Sequence, residues 1–91
     1  MYTAKVVGNV VATQKDEGLV GTKLLIVCPL FEGFKKEKCV VAVDSVGAGI
    51  GETVLVVKGS SARNTDHLKN SPVDHAIIGI IDEIELDESS F

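Results

Sequence analysis

The apolar positions of this chain fall into five short runs, rich in β-branched residues and separated by polar or glycine-bearing segments. Such runs read as strands, because branched side chains suit a pleated surface and alternate across it. Tyr2–Ala12 (YTAKVVGNVVA) predicts a long first strand, with Gly8 as a bend or bulge. Lys23–Cys28 (KLLIVC) predicts a second strand, apolar on both faces and stopped by Pro29. Cys39–Asp44 and Thr53–Lys58 supply the third and fourth. Ala76–Leu86 predicts the fifth. Two-residue alternation places its Ile78, Ile80, Ile84 and Leu86 on one face, with Glu83 and Glu85 on the other.

The segments between these runs carry turn chemistry. Lys15-Asp16-Glu17-Gly18, inside the polar stretch Thr13–Gly21, suits a turn. Leu30–Lys38 reads as a hairpin-like loop whose charged run Lys35, Lys36, Glu37, Lys38 forms a solvated tip. Gly59–His75 is the longest irregular region, where Ser60 or Ser61 offers a cap for one helical turn. Asp87–Phe91 reads as a frayed acidic tail. The fold class is therefore mainly β. The expected architecture is a small, partly open, five-stranded OB-like Greek-key β-barrel with one short helical or irregular crossover. Residues 1–86 form the single barrel domain and 87–91 the acidic C-terminal tail.

The most distinctive stretch is Asp44–Arg63, DSVGAGIGETVLVVKGSSAR. Gly47-Ala48-Gly49-Ile50-Gly51 has almost no side-chain bulk, as befits a tight loop pressed against other backbone. It is not a dinucleotide fingerprint, which needs G-x-G-x-x-G between a strand and a helix. Here the spacing is G-x-G-x-G and a strand follows. Nor is it a P-loop: it ends Gly51-Glu52-Thr53, where a carboxylate would repel phosphate. Arg63 is the only arginine. Its planar fork suits a carboxylate, with Asp44, Glu52, Asp74 and Asp82 as candidates for a structural ion pair.

Other chemistry is thinly represented. His67 and His75 are separated by Pro72 and cannot share a helix face, so they read as surface histidines and no metal site is expected. Ser60 and Ser61 lack a nucleophile elbow. Asp66, His67 and Ser71 make a triad only on paper, and neither catalysis nor a cofactor is expected. The carboxylates Asp82, Glu83, Glu85, Asp87 and Glu88 read as a solvated strand edge, protected from stray pairing by their charge.

Composition narrows the partners. With 91 residues and 45% hydrophobic content, a small barrel cannot hide all its apolar surface, which argues for a subunit interface. The net charge is −4, and the three basic residues after Ile50 face eight acids. There is no basic patch for nucleic acid, and four scattered aromatics make no stacking platform. No run spans a bilayer, and Lys5 interrupts any signal-peptide pattern. Cys28 and Cys39 read as free thiols in a reducing compartment, with a disulfide as the less favoured alternative.

Several motifs together carry a resemblance over nearly the whole length. They are VVGNVVATQK at Val6–Lys15, LVGTKLL at Leu19–Leu25, VDSVGAGIGE at Val43–Glu52, GSSAR at Gly59–Arg63, PVD at Pro72–Asp74 and IGIID at Ile78–Asp82. The chain resembles the EutN/CcmL family of pentameric shell proteins of bacterial microcompartments, which includes PduN-like members. The resemblance implies a non-enzymatic five-stranded barrel assembling as a homopentamer that caps the fivefold vertices of a polyhedral shell. Its implied partners are other copies of itself, hexameric shell proteins of the facets and the enzymes enclosed. The implied location is the shell, in the bacterial cytoplasm. In a ring each copy turns by about 72° from the next, and identical loops crowd near the axis. Gly47, Ala48, Gly49, Ile50, Gly51 and Glu52 are therefore expected at the subunit junction, facing a narrow central opening. The alternative is an OB-type binding module for a small ligand or nucleic acid.

Overall fold

A computed structural model describes residues 1–12, 17–19, 21–31, 33–59 and 74–91. Five strands form: β1 (Tyr2–Val10), β2 (Lys23–Pro29), β3 (Val40–Asp44), β4 (Thr53–Lys58) and β5 (His75–Ile81). They close into one barrel in the order β1-β2-β3-β5-β4. Neighbours are antiparallel except β3 and β5, which run parallel through only two residue pairs, Val43 with Ala76 and Asp44 with Ile77. The barrel expected to be partly open is thus closed, by a short seam. The described residues contain no α-helix, only single 3-10 turns at Glu17–Leu19, Lys36–Lys38 and Glu88–Ser90. The predicted helical turn at Ser60 or Ser61 lies outside the described residues.

The interior follows from alternation. Ala4 and Val6 of β1, Leu25 and Val27 of β2, Ala42 of β3, Val54 and Val56 of β4, and Ile77 of β5 form the core. Two of these eight positions, Ala4 and Ala42, are alanine: a small barrel tapers, and large residues must alternate with small ones to fill it. β2 is buried less symmetrically than its sequence predicted. Leu25 and Val27 are enclosed, whereas Leu24 and Ile26 are half-buried on the outer surface. Pro29 ends β2 as its last residue, at a position opposite Ala4 of β1.

Two irregularities re-aim side chains. In β1, Val6 pairs with Val27 but Gly8 with Ile26, so Val7 is the extra residue and bulges into solvent. The bend predicted at Gly8 is this bulge. In β5, Gly79 pairs with Leu55 but Ile77 with Val56, leaving Ile78 as the extra residue. This corrects the expected alternation: Ile77 faces the core, Ile78 is displaced outward, and Ile80 stays exposed opposite Val54. The strand also ends at Ile81, so Ile84 and Leu86 share no strand face with Ile78. Every residue from Asp82 to Phe91 is exposed. The acidic run is solvated, but beyond the strand rather than along its edge. The expected frayed tail is instead a capped turn: Asp87 accepts from Ser89 N at 3.1 Å and from Ser90 Oγ at 3.0 Å.

Candidate assembly site

The loop between β3 and β4 is fixed at both ends. β3 ends on Asp44, whose side chain is 2% exposed. One carboxylate oxygen accepts from Val46 N at 3.1 Å and the other from Ala48 N at 2.9 Å. A short carboxylate satisfying nearby backbone donors is the chemistry that favours aspartate at the start of a turn. Ala48, so oriented, is fully buried and fills the core. Its carbonyl accepts from Lys23 Nζ at 3.1 Å. On the far side, Gly51 N donates to Val6 O at 2.8 Å and Val6 N donates to Glu52 O at 2.9 Å. Glu52 Oε1 accepts from Gly49 N at 2.7 Å.

What remains is a rigid ridge. Val46, Gly47, Ile50, Gly51 and Glu52 face solvent, and Ile50 is 65% exposed. An apolar groove of about 480 Å³ runs beside it, with Val10, Val11, Leu24 and Ile50 among its walls. The glycines have different reasons. Gly47 and Gly51 sit at φ +88° and +94°, where a Cβ is strained. Gly49 has no such φ, and a Cβ there would meet only Glu52 Oε1 at 3.5 Å, an ordinary contact with a flexible group. Nothing among the described residues requires a glycine at position 49.

Of the predicted site residues, the structure brings Gly47, Ala48, Gly49, Ile50, Gly51, Glu52 and Asp44 into this one unit. Ala48 is its inward plug and Ile50 its outward tip. Arg63 lies outside the described residues, as do Asp66, His67, Ser71, Ser60 and Ser61. Asp74 is exposed, and its carbonyl accepts from Gly59 N at 2.8 Å. Among the described residues, no three metal-type ligands gather.

One pair escaped sequence reasoning. His75, expected at the surface, is half-buried at the start of β5. Its Nδ1 lies 3.1 Å from Tyr2 Oη, and the two rings stack edge to face at 6.1 Å. The partners are 73 residues apart, so no local pattern announces them. Burial pushes the His75 pKa down, the Lys58 charge adds to this, and Asp74 opposes it.

The barrel and its ridge have known counterparts. The family described as "Ethanolamine utilisation protein EutN/carboxysome" matches residues 1–82. The chain is 49% identical over 86 residues to the bacterial microcompartment shell vertex protein GrpN of Rhodospirillum rubrum, covering 93% of this chain and 97% of that one. The solved GrpN pentameric microcompartment shell protein from that organism superposes with a TM-score of 0.82 at 48% identity, covering 96% of this chain and all of the other. The structure of Gloeobacter violaceus CcmL gives a TM-score of 0.85 at 40% identity, covering 96% and 91%. With a closed five-stranded barrel and matches along nearly its full length, the chain belongs to the EutN/CcmL family.

Proposed function

We propose that this protein is a structural shell component of a bacterial microcompartment, assembling as a homopentamer that caps the fivefold vertices of the shell. It is a building block rather than an enzyme. Relatives named as shell vertex proteins and pentameric shell proteins support this reading over an OB-type binding module. The residues 1–86 make up the shell-forming domain and 87–91 its acidic tail. Hexameric shell proteins adjoin the ring in the facets, the enclosed enzymes lie inside, and the whole resides in the cytoplasm.

The observation that carries the reading is Gly49. The described residues of one copy leave room for a side chain there, so packing within the copy does not account for the glycine, whereas close approach of a second backbone would. In a ring, one patch meets a different patch of the next copy. The ridge of Ile50 and the groove beside it supply two such patches. Gly47–Glu52 therefore lies at the subunit junction, beside the central opening, with Ile50 as the anchor entering the neighbour. Exposed Val41, Ile78, Ile80, Ile84 and Leu86 add apolar surface for adjoining copies to cover. Arg63 pairs with Asp44 or Asp74 as a structural ion pair of the ring.

The test is Gly49→Leu. It is expected to leave the β-sheet circular dichroism unchanged while breaking the ring in size-exclusion chromatography. Rings of normal size and stability would remove Gly49 from the junction. Arg63→Ala is expected to lower the ring's dissociation temperature, and an unaltered value would remove the ion pair.

A further inference from the structure

We propose that Cys28 and Cys39 form a reversible redox modification site, in which a hydroperoxide joins them in an intramolecular disulfide and a dithiol releases them. The register of β2 on β3 ends with Val27 opposite Val40. One further step along the same register sets Cys28 opposite Cys39. Directly opposed residues of antiparallel chains have Cα atoms about 4.5–5.5 Å apart. A disulfide requires about 4.4–6.8 Å, so no backbone need move. The side chains converge as well. Cys28 Sγ donates to Lys35 O at 3.3 Å, and Cys39 Sγ reaches the same oxygen at 3.7 Å. Both are free thiols in this structure.

Their exposures divide the labour. Cys39 is half-buried, open to a small oxidant, whereas Cys28 is buried. The Cys39 thiolate attacks one oxygen of the hydroperoxide, the O–O bond breaks, and Cys39 becomes a sulfenic acid as the first water leaves. Cys28 then gives up its proton, its sulfur attacks that of Cys39, and the S–O bond breaks to release the second water. Two thiols and one hydrogen peroxide yield one disulfide and two waters, the sulfurs losing the two electrons that the peroxide gains. Thiol–disulfide exchange with a dithiol reverses it. While both residues are thiols, the adjacent Cys39, followed by burial, raises the Cys28 pKa to about 11. The thiolate is the attacking form, so the resolving step accelerates as pH rises above neutral. The bond would tie together the two ends of the exposed, lysine-bearing loop between β2 and β3.

The test treats the full-length protein with hydrogen peroxide, then unfolds it in N-ethylmaleimide and measures its intact mass. The expected product carries no maleimide, is lighter by two hydrogens, runs as a single chain on a non-reducing gel, and regains both thiols in dithiothreitol. Closure is expected to speed up as pH rises above neutral. Cys28→Ser is expected to stop at a dimedone-reactive Cys39. Two maleimides retained after oxidation would overturn the site, as would bonds formed only between chains. Oxidation of Cys39→Ser at Cys28 as fast as in the parent would overturn the order of attack.

Discussion

At the scale of single residues, Asp44 and His75 carry the clearest consequences. Asp44 is buried and holds two backbone donors of the ridge. Asp44→Ala strands the buried Ala48 N–H while the exposed Val46 N–H turns to water, and one unsatisfied buried donor costs about 1–3 kcal/mol. Asp44→Asn keeps one acceptor and is expected to cost about 1 kcal/mol. Urea unfolding of the two variants checks the order. His75 has a folded-state pKa below its ordinary 6.5. As pH falls through 6.5 the unfolded chain takes up a proton that the folded one refuses, so stability declines. The decline ends at the lower, folded-state value. His75→Gln is expected to flatten the slope of stability against pH in that window. An unchanged slope would mean that burial does not perturb His75. The glycines also separate here: Gly51→Ala forces a side chain into positive φ and is expected to cost about 1–2 kcal/mol, whereas Gly49→Ala leaves the fold unaffected.

At the scale of elements, the strands were legible where alternation was strong and the ends were marked. Thr53–Lys58 matches its strand at both ends, since glycine-bearing turns bound it. β5 was misjudged at its C-terminal end because Asp82–Leu86 continues an apolar–acidic alternation that pairs with no strand among the described residues. Its bulge at Ile78 was also hidden, because register belongs to the partner strand and not to the strand itself. The glycine loop was visible as a loop, but not its internal order. Nothing in Gly47–Gly51 alone says that Ala48 turns inward while Ile50 turns out; the buried Asp44 carboxylate decides that. Among the described residues Ile77 is the largest fully buried side chain, at 1% exposed. Ile77→Ala is expected to destabilise the barrel by about 2–5 kcal/mol, with the loss visible in thermal unfolding.

At the scale of the whole molecule, the barrel solves one problem and leaves another. Closure satisfies the strand edges, but the outer surface keeps Val41 at 50% exposure, with Ile50, Ile78, Ile80 and the apolar residues of the C-terminal segment. A lone copy carrying such surface is poorly suited to water, and the proposed ring of copies would cover it. The acidic balance, −4 per chain, discourages unspecific association and leaves shape to define the contact. Native mass spectrometry of the purified protein tests this most directly. The account predicts that the dominant species has five times the chain mass and that Gly49→Leu shifts it to single chains. A parent protein that stays monomeric at high concentration would contradict it.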